Sequence, residues 1–213
     1  MAVKTRELIL NAALELFNEH RSTNVTTTHI AREMGISPGN LYYYFRNKEE
    51  IIREIFKAID TGVEAIYKYD EFGTSEEAIV DFYHKLAMSS FKYRFFFLEI
   101  SVLVRNDPLL KEAYGQRANR ILRDIGDVFD RWVRVGIMNP FPSEKERKWL
   151  IQNAWTTTQT WLTYEDLLGD PITWEKVLSG QWRLHSILRP YMADESKIKI
   201  DALLEKAIKM ESV

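Results

Sequence analysis

Tyr42 and Tyr43 are the residues whose type and spacing most demand a chemical role. Leu41 and Phe45 lie four apart, the spacing of one helix face, so both turn inward and the two phenols between them turn away. Core packing does not account for adjacent tyrosines on the free side of a helix of one or two turns. Their hydroxyls can hydrogen-bond phosphate oxygens, and their rings can pack on thymine methyls and base edges where such a helix enters a major groove. Tyr44 lies nearer the Leu41 side and reads as structural.

Other chemistries find less support. Gly35-Ile36-Ser37-Pro38-Gly39 matches the Gly-x-Ser-x-Gly of a hydrolase nucleophile elbow, but an elbow needs a preceding strand, and here an amphipathic helix precedes and proline sits at a helix start. The four histidines, His20, His29, His84 and His185, show no metal-ligand spacing, and no glycine-rich phosphate loop exists. The chain has no cysteine, which excludes disulfides, thiolate metal sites and cysteine nucleophiles. No acid, base and nucleophile converge, so a non-enzyme without metal or cofactor is expected.

A second group of candidates is aromatic. Phe91 to Leu98 is apolar except for Lys92 and Arg94, the pattern of a helix buried on all sides. At its end Glu99 stands out, because its neighbours four residues away are Phe95 and Leu103 and neither can pair with it. Its partner must be distant in sequence, a ligand, or water. Trp155, Gln159 and Leu162 form one line on a later helix with Thr158 beside it. Phe95, Phe96, Glu99, Trp155, Thr158, Gln159 and Leu162 are therefore candidates for a ligand cavity, with a filled core as the alternative. Trp161, Val177, Leu178, Gln181, Leu184, His185 and Leu188 offer a mixed face suited to a partner helix.

The elements that must position these residues are helical. A first helix carries the stripe Ile9, Ala12, Ala13, Leu16, Phe17; Thr26 caps a second that ends at Gly35; Ser37 with Pro38 opens a third. Asn47 and Glu50 cap a fourth helix, with stripe Ile51, Ile52, Ile55, Ile59, Val63, Ile66. Tyr69 to Ser75 breaks the pattern, and Thr74 with Glu77 restarts it. Asp107-Pro108 begins a long helix toward Gly136, Ser143 with Glu146 another to Leu168, Gly169-Asp170-Pro171 interrupts, and Thr173 caps a helix ending at Arg189-Pro190. A last stripe runs from Ile200 to Ile208. No period-two run suggests a strand. With 213 residues the chain can bury a sizeable core. The polar start at Met1 to Arg6 and the lack of any long apolar run predict no signal peptide, no membrane association and a cytoplasmic location. Net charge is −2, and up to residue 48 six basic residues face four acidic ones, so a modest phosphate footprint is expected.

The pattern Thr-x-x-x-Ile-Ala, Gly-Ile-Ser-x-Gly, Leu-Tyr-x-x-Phe and Lys-Glu-Glu resembles the N-terminal domain of the TetR family of bacterial transcriptional regulators over roughly residues 4 to 66. The resemblance implies an all-α protein: a three-helix helix-turn-helix domain at residues 1–46, joined by the fourth helix to a helical-bundle effector and dimerisation domain at 47–213. It also implies a homodimeric repressor on a palindromic double-stranded DNA operator, released by a small apolar or amphipathic effector. Thr26, Thr27, Ser37, Pro38, Gly39, Asn40, Tyr42, Tyr43 and Lys48 would line the DNA. Many members carry lysine or arginine where this chain has Pro38, which shifts the load to Asn40 and Tyr43. The alternative is a DNA-binding protein of the same fold acting through protein partners without an effector. Dimerisation also has a physical motive, since one short helix reads too few base pairs for useful specificity.

Overall fold

The computed structural model describes residues 2–68, 75–169 and 171–211. The helices, in chain order, are α1 (Ala2–His20), α2 (Thr27–Glu33), α3 (Pro38–Tyr44), α4 (Lys48–Lys68), α5 (Glu76–Lys92), α6 (Arg94–Asn106), α7 (Pro108–Arg134), α8 (Glu144–Leu167), α9 (Trp174–Ser179), α10 (Gln181–Leu188) and α11 (Asp194–Glu211). Among the described residues there is no strand, only an isolated antiparallel bridge between Met138 and Met192. Nor is any described helix long and apolar enough to cross a membrane.

The helix starts follow local chemistry. Thr26, Ser37, Ser143 and Thr173 each accept, through the side-chain oxygen, the backbone N–H three residues on, satisfying donors that a helix leaves open. Asn47 Oδ1 accepts from Glu50 N, and Glu50 Oε2 accepts in return from Arg46 N. Asp107 Oδ1 accepts from Leu109 and Leu110 at the start of α7. Gly35 ends α2 at φ +63°, a left-handed conformation that costs glycine little. The Thr74 cap expected for α5 lies outside the described residues; Ser75 Oγ accepts from Ala78 N there.

Two continuous patterns are broken in the structure. The apolar run 91–98 divides at Tyr93 into α5 and α6, and the first turn of α6 takes its cap from afar: Phe95 N donates to Asn18 Oδ1 on α1 at 3.1 Å. The helix expected over 174–189 is two helices, α9 and α10, meeting at Gly180. A Cβ at Gly180 would stand 2.6 Å from the Trp161 ring, so glycine is required by that close approach.

By its contacts the chain divides into two compact units, residues 1–61 with 93–114, and residues 62–92 with 115–213. In the first, Ile9, Ala13, Phe17, Ile30, Leu41 and Phe45 are fully buried. Phe95 lies on Phe17 at 5.1 Å between ring centroids, and Phe96 stacks on Phe56 at 5.2 Å. In the second, Phe82, Phe129 and Trp132 form an aromatic centre, Phe82 edge-on to Trp132 and Trp132 tilted on Phe129, and Val177, Leu188, Ile200 and Leu204 are buried.

Candidate nucleic-acid interface and internal cavity

Leu41 and Phe45 have no exposed surface, which leaves Tyr42 half exposed and Tyr43 80% exposed on the other side of α3. The two phenols are held differently. Tyr42 Oη lies 3.1 Å from Thr27 Oγ1, tying α3 to the start of α2. Tyr43 has only its T-shaped contact with Tyr44, at 5.1 Å, so its hydroxyl points free of the fold. Ser37, Pro38, Gly39, Asn40 and Thr26 are exposed, and Thr27 is partly so. The structure thus gathers these residues on the α2–α3 corner of the first unit. His29 joins them: its Nδ1 accepts from Thr26 N at 3.3 Å, completing a capping box in which an imidazole replaces the usual carboxylate.

Lys48 is placed otherwise than expected. Its ammonium donates to the carbonyls of Ser22 and Val25, so its charge is aimed at the turn between α1 and α2 rather than outward. Glu99, expected as a ligand-facing group, holds the amide side of that same turn, accepting from Ser22 N at 2.7 Å and Thr23 N at 3.2 Å. Of the partners open to it, the one distant in sequence is realised. Arg21, in the turn, has φ +69°, a conformation uncommon outside glycine. A carboxylate on the N–H side and an ammonium on the C=O side therefore fix the segment that leads into α2. Arg6 adds an ion pair to Glu54 at 2.6 Å while its guanidinium lies over the Phe45 ring. Neither Asn18 nor the Ser22–Thr23 amides stood out in sequence, because the groups they bind lie more than seventy residues away.

The cavity candidates separate. Phe95, Phe96 and Glu99 belong to the first unit, and Trp155, Thr158, Gln159 and Leu162 to the second. In the second unit a cavity of about 20 Å³ is walled by Tyr67, Phe82, Phe129, Trp132, Thr158 and Leu184, among other apolar side chains. Of the expected ligand residues, only Thr158 lines it. Leu162 is buried, Gln159 is buried with its amide donating to Thr158 Oγ1, and Trp155 carries the Arg117 guanidinium over its ring at 5.2 Å. The walls that sequence reasoning missed follow the α7 spacing Ile125, Val128, Trp132, an ordinary buried stripe until its partners are known.

The expected dimer face is corrected. Val177, Leu178, Gln181, Leu184, His185 and Leu188 are all at most 8% exposed within a single chain. Their surface is already spent on the chain's own core, and Trp161 lies against Gly180. The exposed stripe in this region is on α8 instead, where Trp149, Asn153, Thr156, Thr160, Tyr164 and Leu167 follow one another at helical spacing.

Comparison with known proteins agrees with this architecture. The model of bacterial regulatory proteins of the tetR family matches residues 9–55, and that of the TetR bacterial transcriptional repressor matches residues 53–200. A crystal structure of a TetR-family transcriptional regulator from Marinobacter aquaeolei VT8 is 32% identical, with TM-score 0.85 over 95% of this chain and 98% of that one. The SmeT–triclosan complex shares the fold at 17% identity and TM-score 0.59, over 91% and 94% of the two chains. The HTH-type transcriptional regulator UidR of Escherichia coli (strain K12) is 43% identical over 54 residues, which are 25% of this chain and only 28% of UidR. The chain belongs to the TetR family of bacterial DNA-binding transcriptional regulators.

Proposed function

We propose that the chain is a ligand-responsive repressor that binds a palindromic operator as a homodimer and is released by a small, mainly apolar effector. The observation that carries the DNA-binding part is α3, a helix anchored by Leu41 and Phe45 whose far side presents Tyr42 and the freely projecting Tyr43. In this reading Tyr43 and Asn40 contact base edges, while Tyr42, Thr26, Thr27, Ser37 and Gly39 hold phosphates, with Pro38 setting the start of the helix. Lys48 acts from beneath by shaping the turn before α2. Residues 1–46 then serve as the reader and 47–213 as the effector and dimer region, with the unbroken α4 as the element through which an effector would alter the spacing of two readers.

The effector part is supported by the cavity beside Trp132 and Thr158. Its small volume favours a second reading, a regulator that answers to protein partners and needs no small molecule. Fluorescence anisotropy with a selected palindromic operator tests the first claim. Tyr43→Ala should weaken binding by about 1–3 kcal/mol and relax preference at one or two base pairs. Parent-like affinity and sequence preference in that variant would remove α3 from the interface. An operator affinity indifferent to a broad set of neutral apolar compounds would favour the protein-partner reading.

A further inference from the structure

The turn between α1 and α2 is held in a shape it would not keep alone. Arg21 sits at φ +69°, a region that costs a residue with a side chain, and Ser22 beside it is 1% exposed. Ser22 is gripped from two helices. Its N–H donates to Glu99 Oε2 on α6 at 2.7 Å, and its carbonyl accepts from Lys48 Nζ at the start of α4. Thr23 N adds a second bond to Glu99 at 3.2 Å, and the Val25 carbonyl a second to Lys48 at 2.9 Å. The residue after Val25 is Thr26, the cap of α2, and Thr27 Oγ1 meets Tyr42 Oη of α3 at 3.1 Å. A short, bonded path thus runs from α6 to both reader helices within the first unit.

The far end of that path is itself anchored. Phe95 N donates to Asn18 Oδ1 and the Phe95 ring lies on Phe17, which ties the start of α6 to α1. Asp107, just past the end of α6, pairs with Arg53 of α4 at 2.6 Å. A carboxylate in a unit that faces a polyanion weakens the attraction at long range, so charge gives no reason for Glu99 to be there. Geometry does: a turn left loose would have to be ordered on binding, and that ordering subtracts from affinity.

We propose that Glu99 is a positioning residue for DNA binding: from α6 it holds the Ser22–Thr23 turn, so that α2 and, through Thr27 and Tyr42, α3 meet the operator already oriented. The inference rests on the reading of the α2–α3 corner as the DNA interface. It adds α6, more than seventy residues away in sequence, to the parts that operator binding needs.

The sign of one substitution separates position from charge. Glu99→Gln removes a negative charge, which alone would raise affinity for DNA; the positioning role requires affinity to fall, by roughly tenfold if one hydrogen bond's worth of order is lost. Fluorescence anisotropy of the full chain on a selected operator reads this, at a temperature where circular dichroism shows each variant folded. Ile9→Val, in the buried core of the same unit and about three turns along α1 from Arg21, controls for lost stability and should bind like the parent. The salt slope of Glu99→Gln should match the parent's, since no phosphate contact is removed. The unsubstituted chain supplies an independent reading. Bonds that favour operator must be strengthened by operator, so hydrogen exchange at the Ser22, Thr23 and Phe95 amides should slow on operator binding by about the same factor. Operator affinity in Glu99→Gln that equals or exceeds the parent's, a loss no larger than that of Ile9→Val, or unchanged exchange at the three amides would overturn the proposal. Tyr43→Ala distinguishes the two claims. Weak binding by Tyr43→Ala beside parent-like binding by Glu99→Gln sinks the positioning role and keeps the α3 reading; the converse sinks the α3 reading and keeps the positioning role.

Discussion

At Glu99 a buried carboxylate takes the place of the water that the Ser22 and Thr23 amides would otherwise hold. A carboxamide of the same shape can offer one acceptor oxygen but turns an NH2 toward the second amide. Glu99→Gln should therefore lower stability by about 1–3 kcal/mol. It should also speed hydrogen exchange at the Ser22 and Thr23 amides; unchanged exchange there would mean that the two bonds are not populated in solution. Lys48 closes the same turn from the carbonyl side, so Lys48→Ala should destabilise the first unit more than it flattens the salt dependence of operator binding. A salt slope smaller by one full unit at undiminished stability would instead return Lys48 to the phosphate backbone. The sequence marked Glu99 as a residue without a local partner, and that was legible because i±4 neighbours follow from helix geometry alone. Which amides it would cap was not, since nothing local ties residue 99 to residues 22 and 23. Lys48 shows the converse: a lysine at a helix start looks outward in sequence, and only the carbonyls of a turn two helices earlier draw it in.

The helices themselves were read from caps and stripes, and they hold where the signal is local. Thr26, Ser37, Asn47, Ser143 and Thr173 all cap as their spacing predicts. The pattern was weak where a helix is interrupted by something distant. Ser179-Gly180 is an isolated turn dipeptide inside an otherwise helical stretch, and α9 and α10 divide there against the indole of Trp161. Gly180→Ala should cost about 1–3 kcal/mol by overpacking in urea denaturation, with much of the loss recovered on a Trp161→Leu background. Additive effects of the two substitutions would show that the indole is not what forbids a side chain. Between α5 and α11 the constraint is electrostatic: Ser196 Oγ donates to Glu76 Oε1 at 2.7 Å and Lys199 to Oε2 at 3.0 Å. The serine hydrogen bond, helped by Lys199 and opposed by partial burial, holds the Glu76 carboxyl below its ordinary 4.5. A depressed acid contributes stability above its unfolded value and loses it as pH falls through the folded one. Stability should thus decline below pH about 4.5, and Glu76→Gln should be less stable at neutral pH with a flatter acid limb. Parallel acid limbs in denaturant midpoints measured from neutral to acid pH would exclude the linkage.

For the whole molecule, the association of residues 93–114 with the N-terminal helices is a long-range grouping with no local signature, whereas family and helical class were legible from a compact motif. Assembly of two copies would depend on which apolar face is left over once each chain has folded. The α10 residues satisfy every sequence criterion for a partner surface, being apolar, mixed with polar groups and helically spaced, yet they are consumed internally, where Leu188 is 1% exposed. Leu184→Glu with Leu188→Glu would place carboxylates in the core and should unfold the chain rather than release monomers. The outer stripe of α8 has the opposite character. Trp149 is 56% exposed, Tyr164 55% and Leu167 79%, with Thr156 and Thr160 leaving room for close approach between them. Large apolar side chains aligned on one exposed face are costly in water, and a second copy of the same helix across a two-fold axis covers both at once. Tyr164→Glu with Leu167→Glu should give folded monomers by light scattering, with helical content retained and affinity for a palindromic operator reduced far more than affinity for a half-site. If the doubly substituted chain still runs as a dimer at micromolar concentration, the two-fold contact lies off α8, and the exposed stripe must serve some other partner.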